Sequence, residues 1–183
     1  QRASSEFRKG VILPGDLLHV DFGITYLRLN TDTQQHAYVL RTGEDKAPFG
    51  LITGLKTSNR LQDILTSKFK IGRTGNEILR AARLHAIDEG IRPSIYTHPI
   101  GYHGHAAGPT IGMWDNQKDT VGKGDYVMHA NTAYSIELNT TVNVPEWNGQ
   151  AIKFKLEEDA FFDGNTTRYI DGRQQELTLI KPK

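Results

Sequence analysis

Two aspartates, Asp21 and Asp32, lie eleven positions apart in a segment where apolar and polar residues alternate. Alternation is typical of half-buried strands, and the simplest arrangement of residues 11–42 is a β-hairpin. That hairpin would place the two carboxylates side by side, where like charges repel unless a cation lies between them. Two alternatives stay open: Asp21 could cap a turn at Gly23, and Asp32 could form a solvated Asx turn.

Two helices are predicted after this hairpin. Residues 49–70 carry apolar side chains at helical spacing. Thr74 and Glu77 have the spacing of a capping box, which opens a second helix that is expected to stop at Gly90.

The second half of the chain begins with an irregular segment. Residues 95–115 are rich in Gly, His and Pro, whereas residues 125–144 and 150–162 alternate like strands on either side of a turn at 145–149. The order of strands, two helices, a loop and strands predicts an α+β fold, with helices on one face of a mostly antiparallel sheet.

Composition limits the classes of function. A length of 183 residues suits one domain, and a net charge of +1 gives no bulk attraction to nucleic acid or anionic membranes. No apolar run approaches the roughly 18 residues of a membrane span. Because there is no cysteine, a bound metal must be held by oxygen and imidazole ligands, which favours Mn, Fe, Co or Zn.

The chain begins at Gln1 without a methionine, so we expect residues 1–183 to be a single domain cut from a longer protein. Its compartment is not determined by the sequence. The cytoplasm is the default for a soluble chain without a visible leader, and export stays open. A homodimer stays open as well.

Two glutamates add further hard ligands. Glu137 alternates with core-like neighbours, and Glu157 follows an alternating run. The alternative for Glu157 is a solvated acidic cluster with Glu158 and Asp159, in which Glu158 points to the opposite face. Three histidines, His98, His103 and His105, lie in the Gly-rich segment, where glycine lets the backbone approach a site closely.

Five short motifs together resemble metallopeptidase family M24. This family includes methionine aminopeptidases, aminopeptidase P, prolidase and creatinase, and its fold is called pita bread. The resemblance covers essentially the whole chain, and its motifs are Val20-Asp21-Phe22-Gly23, Thr31-Asp32-Thr33, Gly104-His105-Ala106-Ala107-Gly108, Ser135-Ile136-Glu137 and Lys155-Leu156-Glu157-Glu158-Asp159.

The resemblance implies a site for two divalent metal ions. Asp21 would chelate one ion, Asp32 and Glu157 would bridge both, and His105 with Glu137 would complete the second. A water between the metals would become the nucleophile, because two cations lower its pKa, and Glu137 would accept its proton. The substrate would be a peptide or dipeptide, cleaved at its N-terminal bond or at an Xaa-Pro bond.

Two departures from the family pattern bear on catalysis. A second histidine that contacts the substrate usually follows the ligand histidine by about seven positions, but Gly112 stands there. We therefore expect His98 or His103 to replace it from the other side of the loop. In addition, only twenty residues precede Asp21, so we expect part of the pocket wall to be absent and full activity to be lacking.

Three functions other than a metal-dependent exopeptidase are compatible with parts of this pattern. One is a non-catalytic module of this family that binds peptide or protein, and another is a creatinase-like hydrolase of a small C–N bond. Relatives of both kinds do without the metals, so five retained ligands favour the peptidase. A structural Ca²⁺ site is disfavoured because a histidine ligand is atypical for that ion.

Overall fold

The computed structural model of the protein describes residues 11–182. In chain order these residues form β1 (Leu17–Phe22), β2 (Thr25–Tyr26), β3 (Leu29–Asn30), β4 (Thr33–Val39), α1 (Phe49–Thr66), α2 (Gly75–Asp88), β5 (Pro93–Ile95), β6 (His98–Pro99), β7 (Thr132–Ser135), β8 (Leu138–Val144), β9 (Gln150–Leu156), β10 (Asp159–Phe162), β11 (Thr167–Tyr169) and β12 (Thr178–Ile180).

The described strands form small sheets that meet at one junction. One sheet has the order β1-β4-β12, a second β5-β8-β9 and a third β11-β10-β7-β6, and β2 pairs with β3. All of these pairings are antiparallel except that of β12 with β4. An isolated bridge between Gln34 and Glu157 joins the first sheet to the turn between β9 and β10. The predicted α+β fold with mostly antiparallel strands is confirmed.

The predicted hairpin is present, with an extra pair of short strands at its tip. β1 and β4 pair in a register that runs from Leu17 opposite Tyr38 to Phe22 opposite Thr33. β2 and β3 form the tip between them. Asp21 therefore lies opposite Gln34, and Asp32 lies one residue before β4, so the two aspartates come together as expected.

Both predicted helices form. Thr74 caps α2 through the predicted capping box with Glu77, and Gly90 has a positive φ of 75° just beyond the helix. α1 ends at Thr66, four residues earlier than the expected limit of the first helix. It packs on β8, β9 and α2 and contributes to both apolar cores, so it supports the junction of the sheets from one side.

Two predicted segments differ from the structure. Residues 125–131 precede β7 instead of forming a strand, because the Asp125 carboxylate accepts hydrogen bonds from the Asn76 side chain and from Gly122 N, which holds the segment as a loop beside α2. Within the segment expected to be irregular, His98 and Pro99 form β6 by pairing with Ser135 and Tyr134. The predicted turn at 145–149 contains one 3-10 turn, Pro145–Trp147.

Among residues 11–182, neither helix combines the length and the apolar character that crossing a membrane requires.

Gly54 lets α1 approach β9 closely. A Cβ at this position would lie 2.1 Å from a ring carbon of Phe154, which is fully buried. We expect Gly54→Ala to lower the free energy of unfolding by about 1–3 kcal/mol, because the added methyl group overpacks a rigid core. This destabilisation exceeds the stabilisation that the higher helix propensity of alanine would give. Urea denaturation measures this change. Lys56→Ala, at an exposed position of the same helix, is the control and should stay within about 0.5 kcal/mol. Equal effects of both variants would contradict the close approach.

Candidate metal centre

The candidate ligands lie at the junction of the sheets. Asp21 is on β1, Asp32 immediately precedes β4, Glu137 lies between β7 and β8, and Glu157 lies between β9 and β10. Backbone hydrogen bonds between the paired strands hold the strand ends in place. The side chains at these ends are not part of the pairing and can converge on one point. His98 on β6 pairs with Ser135, two positions before Glu137, and so enters the same junction.

Side chains at this junction form three overlapping ligand groups. Each group has ligand atoms within 4.8 Å of one another, and Glu157 belongs to two of them. The groups are Asp21, Asp32 and Glu157; His98, Glu137 and Glu157; and Asp32, His98 and His105. The structure therefore brings together all five residues of the expected ligand set, and it adds His98 to them.

His98 is the most deeply enclosed histidine of the group. It is 1% exposed, and its Nδ1 lies 3.2 Å from the carbonyl oxygen of Pro99, to which it must donate. Its Nε2 faces Glu157 Oε1 at 3.7 Å and Glu137 Oε2 at 4.0 Å, too far for a hydrogen bond, and has no hydrogen-bond partner. A buried nitrogen without a partner that faces two carboxylates fits a site for a cation.

His105 and His103 differ from His98 in burial. His105 is exposed, stacks on the ring of His98 with a centroid distance of 4.0 Å, and has its Nδ1 3.0 Å from the Tyr96 hydroxyl. His103 is exposed and packs edge-on against Tyr102. Among the described residues it belongs to none of the ligand groups. His105 therefore borders the cluster, and His103 lies outside it.

Burial of several carboxylates in one place raises their proton affinity. Burial first, and then the charge of Glu157, raises the pKa of Glu137 to about 8 and that of Asp32 to about 6. Burial likewise raises the pKa of Asp159 to about 6. Burial opposes ionisation of Glu157 too, but neighbouring donors and His98 outweigh it, so the pKa of Glu157 is lowered. The negative charge of the cluster is thus only partly compensated by protein groups.

Glu158 lies on the opposite side from Glu157, as expected, but it is buried instead of solvated. It is 3% exposed and accepts hydrogen bonds from the Gln62 side chain and from Gln174 N, the latter at 3.1 Å. Burial raises the pKa of Glu158 to about 7. Glu157 is 2% exposed, so the solvated acidic cluster considered for these residues does not form.

The sequence did not point to two polar residues around the ligands, Ser135 and Gln34. The Ser135 hydroxyl donates to Glu157 Oε1 at 2.6 Å, and the Gln34 side chain donates to Glu157 Oε2, also at 2.6 Å. Gln34 could have been found, because residues i and i+2 of a strand share a face and Gln34 follows Asp32 by two positions. Ser135 carried no comparable signal, since its role depends on the pairing of β7.

The pKa shifts predict how the stability of the metal-free protein changes with pH. A carboxyl whose pKa is raised on folding binds more protons in the folded state, so its stabilising contribution is lost as pH rises through the folded pKa. Glu137 and Glu158 titrate in this way between about pH 6.5 and 8.5. His36, with a pKa lowered to about 4, gives the opposite slope, but only below about 6.5.

We therefore expect the metal-free protein to lose about 2–3 kcal/mol of unfolding free energy between pH 6.5 and 8.5. Urea denaturation after dialysis against a chelator measures the slope. A divalent metal should flatten it, since metal-bound carboxylates stay ionised in this range. Stability that rises with pH between 6.5 and 8.5 would contradict the raised pKa values of Glu137 and Glu158.

The sequence was compared with known protein families and structures. A sequence profile of metallopeptidase family M24 matches residues 3–160. The chain belongs to metallopeptidase family M24. No curated protein sequence is significantly similar to this M24 chain.

Solved structures of M24-type peptidases resemble the chain in fold. An Xaa-Pro dipeptidase from Bacillus anthracis is 19% identical with a TM-score of 0.67, covering 94% of this chain and 43% of that chain. An X-Pro aminopeptidase from Thermotoga maritima MSB8 is 19% identical with a TM-score of 0.66, covering 91% and 42%. A methionine aminopeptidase from Rickettsia prowazekii is 12% identical with a TM-score of 0.59, covering 84% and 63%. These likenesses show the pita-bread fold, and the chain spans less than half of the first two proteins.

Proposed function

We propose that this M24 domain is a dinuclear metal-dependent exopeptidase. The observation that carries the proposal is the convergence of four carboxylates and a buried imidazole nitrogen without a partner. Oxygen and imidazole ligands suit Mn, Co, Fe or Zn. When bound, two such ions lower the pKa of a water and stabilise the negative charge that develops on the scissile carbonyl.

We infer that His98, and not His105, completes the ligand set. His98 is enclosed, and its free Nε2 faces Glu137 and Glu157, whereas His105 is exposed and uses Nδ1 to contact Tyr96. His105 follows His98 by seven positions, the interval expected between the ligand histidine and the histidine that contacts the substrate. With this assignment the second histidine of the family pattern is His105, so no histidine is expected at Gly112. His103 then has no role in the site.

Glu137 is the residue we assign to proton transfer. Its pKa of about 8 in the metal-free protein means that both protonation states are accessible near neutral pH, which suits a group that takes a proton and returns it. Bound cations would lower this pKa and so favour the ionised acceptor. Its side chain is 24% exposed, so the carboxylate remains reachable from the solvent side.

We further propose an Xaa-Pro peptide as the substrate class. The similar structures include an X-Pro aminopeptidase and an Xaa-Pro dipeptidase. Assigning His105 as the second histidine also supplies the substrate-contacting side chain that the family pattern expects. A methionine aminopeptidase also shares the fold, so removal of an N-terminal residue is the competing specificity.

The test is metal analysis of the full-length protein followed by titration with Mn²⁺ or Co²⁺ against a panel of peptides with and without proline in the second position. Two equivalents of metal and metal-dependent hydrolysis are expected. No binding above background would overturn the metal centre. Metal binding without hydrolysis of any peptide would favour the non-catalytic peptide-binding module.

A further inference from the structure

One neutral side chain, Gln34, lies among the charged ligands. It is 1% exposed, and its amide nitrogen is 2.6 Å from Glu157 Oε2 and 3.1 Å from Glu137 Oε1. Each carboxylate thus receives one proton of the same amide group, which has two to donate. A single amide group therefore bridges two neighbouring carboxyl groups of the cluster.

The partners of Gln34 fix which way its amide points. The pKa of Glu157 is lowered, so its carboxylate is ionised and only accepts hydrogen bonds, and the amide nitrogen of Gln34 must face it. Glu137 Oε1 lies on the same side, 3.1 Å from that nitrogen. The amide oxygen then faces His19, whose Nε2 lies 2.8 Å away and must donate. The His19 ring in turn packs against that of His36 at a centroid distance of 5.1 Å. The amide is consequently held from both ends.

The backbone of Gln34 is fixed at the same junction. Its N–H donates to the carbonyl oxygen of Glu157 at 2.9 Å, and it lies opposite Asp21 in the pairing of β1 with β4. A movement of Gln34 would therefore shift main chain that carries ligands from three segments. Because Gln34 is held rigidly, its side chain determines the separation of Glu137 and Glu157 and does not shift when they move.

We propose that Gln34 is a positioning residue, which holds Glu137 and Glu157 at the separation required to bind divalent cations. This inference rests on the proposed metal-dependent function. A lysine or arginine here would neutralise the carboxylates and compete with the cation. The amide orders the same two oxygens without adding charge, so their negative charge remains available to a divalent ion.

Gln34→Met tests the proposal, since methionine has a similar length and no donor. Gln35→Met is the matched control, because the neighbouring residue of the strand points to the opposite face. We expect Gln34→Met to weaken Co²⁺ binding, measured by calorimetry, by about 10–100-fold, and to change the visible absorption spectrum of bound Co²⁺. Gln35→Met should leave both unchanged. Unchanged affinity and spectrum in a folded Gln34→Met variant would overturn the proposal.

A second measurement needs no metal. In the chelator-treated protein, NMR should show the side-chain amide protons of Gln34 protected from solvent exchange and those of Gln35 exchanging faster. Equal exchange rates for Gln34 and Gln35 would show that the Gln34 amide is not held in place, independently of any result on metal binding. A wild-type protein that binds no Co²⁺ but keeps Gln34 protected would instead overturn the metal centre, and with it the role of Gln34 toward the ion.

Discussion

Glu137→Gln is expected to lower kcat by at least about 10³-fold, because it removes the group assigned to accept the proton of the attacking water. The substitution changes the volume of the side chain very little. The new amide oxygen can still accept the hydrogen bond from Gln34, which lies 3.1 Å from Glu137 Oε1. Loss of the carboxylate, and not disruption of the junction, would therefore account for the loss of turnover.

The measurement is steady-state hydrolysis of the best peptide of the panel at saturating metal, together with metal content. Glu176→Gln, at an exposed position distant in sequence from the ligands, is the matched control and should retain full activity. Because Glu137 is assigned both as ligand and as proton acceptor, we expect a partial loss of metal affinity as well. Turnover within tenfold of the wild type would refute the proton-transfer role.

The same substitution should change the pH dependence of the metal-free protein. Removing the group whose pKa is about 8 should remove most of the fall in stability between pH 6.5 and 8.5. The stability of the metal-free variant thus reports the pKa of Glu137 without any measurement of catalysis. If the slope persisted in Glu137→Gln, another group would have to carry the titration assigned to it.

Local sequence patterns were sufficient for the parts of the fold that depend on neighbours in the chain. Thr74 and Glu77 form the capping box within four residues, so the start of α2 was predictable to the residue. The hairpin that joins Asp21 to Asp32 also rests on short-range alternation, and its pairing agrees with the prediction. Asp21 and Glu137 could be selected for the same reason, as carboxylates among apolar neighbours, whereas Asp32 and Glu157 stand in polar surroundings and were indicated by the family resemblance.

Long-range pairing explains what could not be predicted. β6 contains only His98 and Pro99, too few residues for any periodicity, and it exists because it pairs with β7 more than thirty positions away. Without that pairing, His98 and His105 are equivalent members of a Gly-rich loop. One signal was nevertheless present in the sequence: the interval of seven between these two histidines matches the one expected between a ligand and a substrate-contacting histidine.

His98→Ala should therefore impair metal binding, whereas His105→Ala should impair catalysis while metal binding is retained. We expect His98→Ala to weaken metal affinity by at least about 100-fold, since it removes the imidazole that we assign as a ligand and that faces Glu137 and Glu157. We expect His105→Ala to bind metal within about threefold of the wild type and to lower kcat/KM by about 10–1,000-fold, because it removes the side chain that we assign to contact the substrate.

Calorimetric titration with Mn²⁺ and peptide hydrolysis separate the two roles. His103→Ala, which changes an exposed histidine outside the ligand groups, should alter neither quantity. Thermal unfolding of the metal-free variants shows whether His98→Ala still folds, and His98→Gln serves if it does not, because glutamine fills the space without an imidazole. Retained metal binding in His98→Ala with loss of it in His105→Ala would return the ligand role to His105 and leave His98 as its neighbour in the stack.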